Sequence, residues 1–222
     1  RGVPRIEEIL SLSENPKNPS ITVALKDKDM FDKHKAQDIK NKLEHTKLVD
    51  ITKSIGIYFD PDDLNTLIDY DIPLMQQYKE FQLLTQECSG SQDQSDDSDK
   101  SKWVIRIELD KESMLNKNIS MDDVNFAIKN CYQDDIKCVY SDYNDDKLIM
   151  RLRISNITKT SNKKNIKPKN LDQSDEIYIL KNLQDKILNN IVLRGIKNIG
   201  KVIVRKIPDS VIENNGNYEK KE

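Results

Sequence analysis

The amino-acid sequence predicts an α+β fold: a βαβ-like N-terminal unit and a ferredoxin-like unit, joined by a flexible acidic Ser/Asp linker. Two observations lead to this prediction. Short runs rich in Val and Ile alternate along the chain with longer segments of helical periodicity. The stretch "CSGSQDQSDDSDKSK" has no apolar residue except its Cys, so it cannot bury enough surface to offset the entropy of ordering. The predicted domains are residues 1–87, a disordered linker at 88–102, and residues 103–222.

The first unit is predicted to run helix, strand, helix, strand and helix. Its opening stretch, "RGVPRIEEIL", starts a helix because Pro4 fits a first helical turn, and the prolines of "ENPKNPS" end that helix. Residues 20–25 are predicted as a strand, residues 31–44 as a helix and residues 47–59 as a second strand. The turn "FDPDD" follows.

The last helix of this unit is predicted at residues 72–86. Five of its larger side chains share one side: Leu74, Met75, Tyr78, Phe81 and Leu84. This pattern is typical of an amphipathic helix with one face turned toward a core.

The second unit reads as β-α-β-β-α-β, the ferredoxin-like order. "WVIRIEL" alternates as a strand, and Ser120 with Asp123 resembles a capping box at the start of a helix. "IKCVYS" and "KLIMRLRI" are strands joined by the turn "DYNDD". After a polar loop at residues 156–170, a helix at 174–190 and the strand "KVIVRKI" complete the order. The first and third strands should be central, and the second and fourth should lie at the edges.

Alternation assigns the side chains of these strands to two faces. The inward face, covered by two helices, is predicted to carry Trp103, Ile105, Ile107, Met150, Leu152, Val202 and Val204. The outward face is predicted to carry Arg106, Glu108, Arg151, Arg153 and Arg205. The arginines could attract DNA phosphate or an acidic partner without reading sequence, and a solvated charged face is the alternative. An RNA-recognition surface is disfavoured, because the outward face of the two central strands offers no aromatic side chain for stacking.

The composition excludes several classes of protein. Lys and Arg number 36 against 38 Asp and Glu, so nucleic-acid binding would need a local basic patch. The chain has three scattered cysteines and two histidines, too few for a zinc site of the usual spacing. We expect a reducing compartment. The sequence contains no long apolar run and no signal peptide, so no membrane partner is expected.

No catalytic constellation is predicted. Gly195 and Gly200 in "LRGIKNIGKV" precede a strand, whereas a phosphate loop precedes a helix, so they are interpreted as turn residues with unusual backbone angles. The acidic clusters at residues 60–63 and 142–146 lack the Gly and terminal Glu of a calcium loop, and turn chemistry explains them better. His34 and His45 have no evident nucleophile partner.

Several segments occur in an order that matches one known family. They are "RGVPRIEEIL", "NPSITVAL", "KLEHTKLVDI", "IYFDPD", "NDDKLIMRLRI" and "NIVLRGIKNIGKV". Together they resemble the region after the trigger loop in the largest subunit of multi-subunit DNA-directed RNA polymerases, with the eukaryotic polymerase II type the most similar. The combination of "GVPR", "LEHT" and "LRGI" in register is specific, and the likeness covers most of the chain except the linker and the polar loop.

This resemblance implies a fragment of the cleft and jaw region, which explains the missing initiator Met. Such a part frames downstream duplex DNA and docks other polymerase subunits during transcription. These include a small zinc-ribbon subunit, and a transcript-cleavage elongation factor lies nearby. The full enzyme is a nucleotidyltransferase, but the resemblance assigns no catalytic residue, metal ligand or cofactor to this chain. Mg²⁺ and Zn²⁺ are expected elsewhere in the full subunit.

Two groups of residues acquire expected roles from the resemblance. The residues Gly2, Val3, Pro4 and Arg5 would form the base on which the trigger loop's second arm is anchored, a positioning role. The small subunit would dock partly by strand addition, which needs an exposed sheet edge. Because the second strand of the predicted sheet is an edge, Val139, Tyr140 and Ser141 are the first place to look for that contact.

The competing interpretation is a free-standing ferredoxin-like module for regulation, ligand binding or protein interaction. It predicts a homodimer formed through sheet edges and ligand-dependent melting of residues 103–207. The abundance of Asn, Lys, Asp and Ile indicates an AT-biased genome, such as that of a virus or a protist. The expected location is the nucleus for a cellular protein, and the virion or a cytoplasmic viral factory for a protein of a large DNA virus.

Overall fold

The computed structural model describes residues 2–16, 19–26, 29, 32–62, 65–89, 101–155, 173–206, 211–214 and 217–220. The chain forms two compact units, Arg1–Ile39 and Lys40–Glu222. The structure thus divides the chain well before the predicted linker, because strands from both sides of residues 88–102 join one sheet. Residues 90–100 of that linker, and the predicted loop at 156–170, lie outside the described residues.

The first unit contains helix α1 (Gly2–Leu10) and most of helix α2 (Lys33–Leu43), and both helices were expected from the sequence pattern. Residues 20–25, which the sequence predicts as a strand, have no regular secondary structure. A β-branched run becomes a strand only where a neighbouring strand supplies the hydrogen-bond ladder. Residues 20–25 pair with no strand in the described part of the chain.

The second unit contains the remaining elements. In chain order they are β1 (Thr46–Lys47), a 3₁₀ turn (Leu48–Ile51), β2 (Thr52–Phe59), a 3₁₀ turn (Asp69–Asp71), α3 (Ile72–Ser89), β3 (Trp103–Leu109), α4 (Lys111–Lys117), α5 (Met121–Tyr132), a 3₁₀ turn (Gln133–Asp135), β4 (Ile136–Tyr140), β5 (Leu148–Ile154), α6 (Gln173–Asn190), β6 (Val192–Arg194), β7 (Val211–Asn214) and β8 (Asn217–Lys220). Within the described residues, no helix is long and apolar enough to cross a bilayer.

The main sheet has four antiparallel strands in the order β2-β3-β5-β4. The first and third strands of the predicted ferredoxin-like order, β3 and β5, are central, and the second, β4, is an edge. These three placements confirm the prediction. Ile107 of β3 stands opposite Met150 of β5, and Cys138 of β4 stands opposite Leu152.

The fourth place in the sheet differs from the prediction. Strand β2 occupies it and pairs with β3 from Ser54 opposite Glu108 to Phe59 opposite Trp103. Residues 201–206, the predicted fourth strand, have no regular secondary structure, and Val204 is 47% exposed rather than buried on the inward face. Periodicity identifies β-forming runs but cannot say which of two runs takes a given edge.

One face of the sheet forms the apolar core with α5 and α6. Its buried side chains include Ile105, Ile107, Met150, Leu152, Val124, Ile128, Leu180, Leu183 and Ile187. Helix α5 begins with the predicted capping box, in which the Asp123 N–H donates to Ser120 Oγ and the Ser120 N–H donates to Asp123 Oδ2. A cap of this kind contributes about 1 kcal/mol.

The opposite face of the sheet is also covered. Val104 and Ile149 point to this face and are 1% exposed, and Met75 of α3 is 2% exposed. All seven residues of β5 are buried. The sequence predicts an open outer face here, but the chain from residue 60 into α3 folds over it.

Candidate functional site

The two segments that carry the family resemblance most specifically, "LEHT" at 43–46 and "LRGI" at 193–196, meet in the structure. Thr46 of β1 pairs with Arg194 of β6. The Ile196 N–H donates to the Leu43 carbonyl at 3.2 Å. Segments about 150 residues apart in the sequence therefore form one junction, which we call the LEHT–LRGI junction.

Gly195 allows this close approach. Its φ is +96°, and a Cβ added at this position would lie 2.1 Å from the Glu44 carbonyl oxygen. Only glycine fits there without moving backbone. The interpretation of Gly195 as a residue with an unusual backbone angle is confirmed. Gly200 does not share this property, since its φ is not positive and nothing lies near its missing side chain.

The Glu44 side chain holds three segments together at this junction. Its Oε1 accepts a hydrogen bond from Lys117 Nζ at 2.9 Å, and its Oε2 accepts one from the Val202 N–H at 3.4 Å. Burial raises the pKa of Glu44, but the hydrogen bond and charge of Lys117 outweigh burial, so the pKa lies below its usual value. A cavity of about 120 Å³ adjoins this pair and is also lined by Lys40 and Arg194.

A second polar cluster lies on the covered outer face of the main sheet. The Arg151 guanidinium of β5 donates to Asp60 Oδ2 at 2.5 Å, to Asp71 Oδ2 at 2.7 Å and to Thr66 Oγ1 at 3.2 Å. Arg106 of β3 donates to both carboxylate oxygens of Asp71 at 3.1 to 3.2 Å. Both aspartates have fully buried side chains. We call these residues the arginine–aspartate network.

Arg153 ties a further part of the backbone to the same network. Its guanidinium donates to the carbonyl oxygens of Ser101 and Asp60, each at 2.7 Å. Ser101 is itself 3% exposed, and its hydroxyl donates to Glu176 of α6 at 2.8 Å. Ser101, two residues before β3, is therefore held both by Arg153 of β5 and by Glu176 of α6.

These contacts correct the prediction of an exposed arginine face. Arg151 and Arg153 are 3% and 5% exposed, and Arg106 is partly buried against Asp71. Buried guanidinium groups need carboxylates and carbonyls to replace water, and the chain around Asp60 and Asp71 supplies them. Asp60 belongs to the acidic turn "FDPDD", and turn chemistry alone does not account for its contacts with Arg151 and Arg153. Arg205 is exposed but lies outside the sheet.

Strand β4 lies at an open edge, since it pairs only with β5 in the described part of the chain. The Ser141 N–H donates to the Ile149 carbonyl and the Ser155 N–H to the Asp135 carbonyl. Antiparallel pairing alternates, so Val139 also turns its backbone groups toward β5. The N–H and C=O groups of Ile136, Cys138 and Tyr140 point to the open edge. Of the three residues named from the sequence, only Tyr140 does so.

The residues Gly2–Arg5, expected to form a positioning base, lie in α1. Gly2 has φ +58°, and Arg5 pairs with Glu8 at 2.9 Å. Val3 is 67% exposed, and no residue of α1 is buried. The segment Gly2–Arg5 is therefore exposed.

No group of three His, Cys, Asp or Glu side chains that could hold a metal ion occurs among the residues that the structure describes. Cys138 is partly buried, and burial raises the pKa of its thiol to about 11. Tyr140 donates its hydroxyl to Asp122 at 2.7 Å, and this bond with burial raises the pKa of Tyr140.

The chain matches one family of known proteins over most of the second unit. The family model described as RNA polymerase Rpb1, domain 7, matches residues 46–194. The match begins at β1 and ends at β6, so it covers the main sheet, its helices and the Thr46–Arg194 pair of the LEHT–LRGI junction. It covers well over half of the chain. The chain therefore belongs to the Rpb1 domain 7 family, as part of the largest subunit of a DNA-directed RNA polymerase.

Proposed function

We propose that this chain is the cleft and jaw part of the polymerase largest subunit, where it frames downstream duplex DNA and docks smaller subunits. The single observation that carries the docking role is the edge of β4, which pairs only with β5 among the residues that the structure describes, because a strand edge with free backbone groups can accept a strand from a partner. The small zinc-ribbon subunit is the partner proposed for this edge, with the transcript-cleavage factor nearby. Nucleotidyl transfer is assigned to other parts of the enzyme, which also hold its Mg²⁺ and Zn²⁺.

A rigid scaffold suits this role, and the buried contacts support it. The arginine–aspartate network ties β3, β5 and the chain before α3 together on one face of the sheet. The apolar core fixes α5 and α6 on the other. A sheet held on both faces presents its edge with little freedom, which lowers the entropy lost when a partner docks.

The proposed contact with DNA is electrostatic. With Arg151 and Arg153 buried, Arg205 is the one arginine of the predicted face that is both described and exposed. Loss of a phosphate contact would weaken binding to all DNA sequences alike. The proposed role of Gly2–Arg5 is to anchor the trigger loop's second arm. The proposed location stays the nucleus, or the virion or viral factory for a viral enzyme.

The docking role is tested with a polymerase in which Cys138 is replaced by proline. Cys138→Pro removes an N–H that points to the open edge and leaves the ladder to β5 unbroken. The expected result is a purified enzyme that loses the zinc-ribbon subunit in a salt wash, measured by quantitative mass spectrometry. Full retention of that subunit, in an enzyme whose other subunits remain at normal stoichiometry, would contradict the proposal.

A further inference from the structure

The cavity beside the LEHT–LRGI junction, about 120 Å³ in volume, is lined mainly by cations and hydrogen-bond donors. All of its lining residues belong to the second unit. Three of them are cationic, Lys40, Lys117 and Arg194, and Glu44 is the one carboxylate among the described residues that line it. Asp123, which binds Arg194 at 3.1 Å, offsets a second cation. One positive charge is left over, so the cavity favours an anion.

The cations of the cavity keep hydrogen-bond donors that the protein does not use. Lys117 Nζ donates to Glu44 Oε1 at 2.9 Å and to Thr46 Oγ1 at 3.3 Å, which leaves one of its three N–H groups over. Arg194 donates from Nη2 to Asp123. The other side-chain N–H groups of Arg194 have no acceptor within the described part of the chain. An acceptor bound in the cavity would satisfy these donors.

Two side-chain amides and a third cation add further donors. Asn41 of α2 and Asn116 of α4 line the cavity, and neither amide makes a hydrogen bond to a residue that the structure describes. Lys40, directly before Asn41, interacts with Glu44 through its charge alone and forms no ion pair at contact distance with any described residue. Its ammonium group is therefore available to a ligand.

The acceptors around the cavity are already engaged. Both carboxylate oxygens of Glu44 accept hydrogen bonds, one from a lysine and one from a backbone N–H. At the end of α2, the Leu43 carbonyl accepts from the Ile196 N–H at 3.2 Å, and at the end of α4 the Leu115 carbonyl accepts from the Asn118 N–H at 3.1 Å. A ligand that donates hydrogen bonds would find few partners here, whereas an oxyanion would find many.

We propose that this cavity binds one free phosphate group, from inorganic phosphate or a phosphate monoester, through Lys40, Lys117 and Arg194, with the amides of Asn41 and Asn116 as further donors. A tetrahedral phosphate accepts hydrogen bonds on several oxygens at once, and charge-assisted bonds of this kind are the strong ones. The inference goes beyond the docking role proposed above and does not depend on it.

The recessed position of the cavity limits what can enter it. Thr46, which lines it, is 2% exposed, and the Lys117 side chain is 26% exposed. A phosphate monoester can enter with its three free oxygens first. A phosphodiester in nucleic acid carries a sugar on two of its oxygens and fits such a cavity poorly. A bound phosphate would connect α2, α4 and β6, and so stabilise the junction by mass action.

The test titrates the ¹⁵N-labelled chain of 222 residues with sodium phosphate, which replaces sodium chloride at constant ionic strength. Nuclear magnetic resonance follows the side-chain amide signals of Asn41 and Asn116. Both signals should shift and reach saturation with a Kd of about 1 mM or lower. Shifts that do not saturate, or that spread evenly over the lysine-bearing surface, would overturn the proposal.

Lys42 provides a matched control in the same helix, because it is exposed and does not line the cavity. Lys40→Gln and Lys42→Gln remove the same charge from α2. Lys40→Gln should weaken phosphate binding about fivefold or more, and Lys42→Gln less than about twofold. Neither lysine forms an ion pair with a described residue, so both variants should fold. Equal weakening by the two variants would reduce the effect to general attraction between charges and contradict a site.

Two further probes identify the source of the phosphate group. If O-phosphoserine binds with an affinity similar to that of inorganic phosphate, the site accepts a monoester; if only inorganic phosphate binds, its ligand is the free ion. Either result supports the site. Duplex DNA without terminal phosphates should not displace phosphate from the cavity. Displacement by this DNA would overturn the proposal, because it would assign the cavity to the nucleic-acid backbone.

Discussion

Arg151 of β5 and Asp71, the last residue before α3, are joined by a 2.7 Å ion pair in which both side chains are almost fully buried. The pair connects the centre of the sheet to the start of α3. Because Asp71 also binds Arg106 of β3, one carboxylate fixes two adjacent strands to that helix. The position of the start of α3 on the sheet depends on this contact.

Removal of the Asp71 carboxylate should therefore destabilise the protein strongly. Asp71→Ala leaves the buried Arg151 guanidinium and the partly buried Arg106 guanidinium without their shared carboxylate, a loss of about 3–5 kcal/mol in the free energy of unfolding. Asp69, an exposed acidic residue in the same turn, is the matched control, and Asp69→Ala should change stability little. Urea denaturation followed by circular dichroism measures both, and equal stability of the two variants would show that the network contributes little.

Gly195→Ala should disrupt the LEHT–LRGI junction. The new Cβ would meet the Glu44 carbonyl at a φ that alanine rarely adopts, so we expect a loss of at least about 1 kcal/mol. Gly200→Ala, at a position with open space and no positive φ, should leave the melting temperature unchanged or slightly raised. Differential scanning calorimetry compares them. A Gly195→Ala protein as stable as Gly200→Ala would mean that the close contact is not maintained.

Glu44 should contribute to the pH dependence of stability. The pKa of Glu44 is lower in the folded protein than its ordinary value of 4.5. The charged side chain therefore stabilises the fold at pH values above 4.5. That contribution is lost as the pH falls through the lower, folded pKa. Glu44→Gln should lower the free energy of unfolding at pH 7 and make that free energy fall less steeply on acidification. Unfolding curves between pH 3 and pH 7 provide the measurement, and parallel pH profiles for both proteins would contradict the assignment.

Cys131 and Cys138 should differ in reactivity. Cys138 has a pKa raised to about 11 by burial, so its thiolate is scarce at pH 8, whereas Cys131 is exposed. Iodoacetamide should therefore alkylate Cys131 well before Cys138 in the folded protein, and at similar rates after denaturation. Peptide mass spectrometry of timed samples gives both rates. Faster labelling of Cys138 would show that β4 is more open than the structure indicates.

The local elements of the second unit follow from the sequence because each is fixed by neighbouring residues. Alternation in "WVIRIEL" and "KLIMRLRI" places Ile105, Ile107, Met150 and Leu152 correctly on the core face. The Ser120 capping box is likewise a local signal. These predictions need no knowledge of distant partners.

The rest of the site depends on contacts across long stretches of sequence. Asp60 and Arg151 are 91 residues apart, and alternation says which way Arg151 points but not what covers it. The pairing of β2 with β3 is equally non-local. The open edge was anticipated, but the outward turn of the Cys138 backbone emerges only from the register with β5. The sequence motifs are enough to identify the family. How those motifs lie relative to one another is visible only in the folded structure.

The sheet takes β2 from the chain before residues 88–102 and β3 from the chain after them. That polar stretch is thus an insertion between two paired strands, not a boundary at which the protein can be divided. A truncation that starts at residue 103 would remove β2, one of the two neighbours of β3, and expose an apolar strand edge prone to aggregation, whereas lengthening the insertion should have little effect. Recombinant pieces for binding studies should begin upstream of β1.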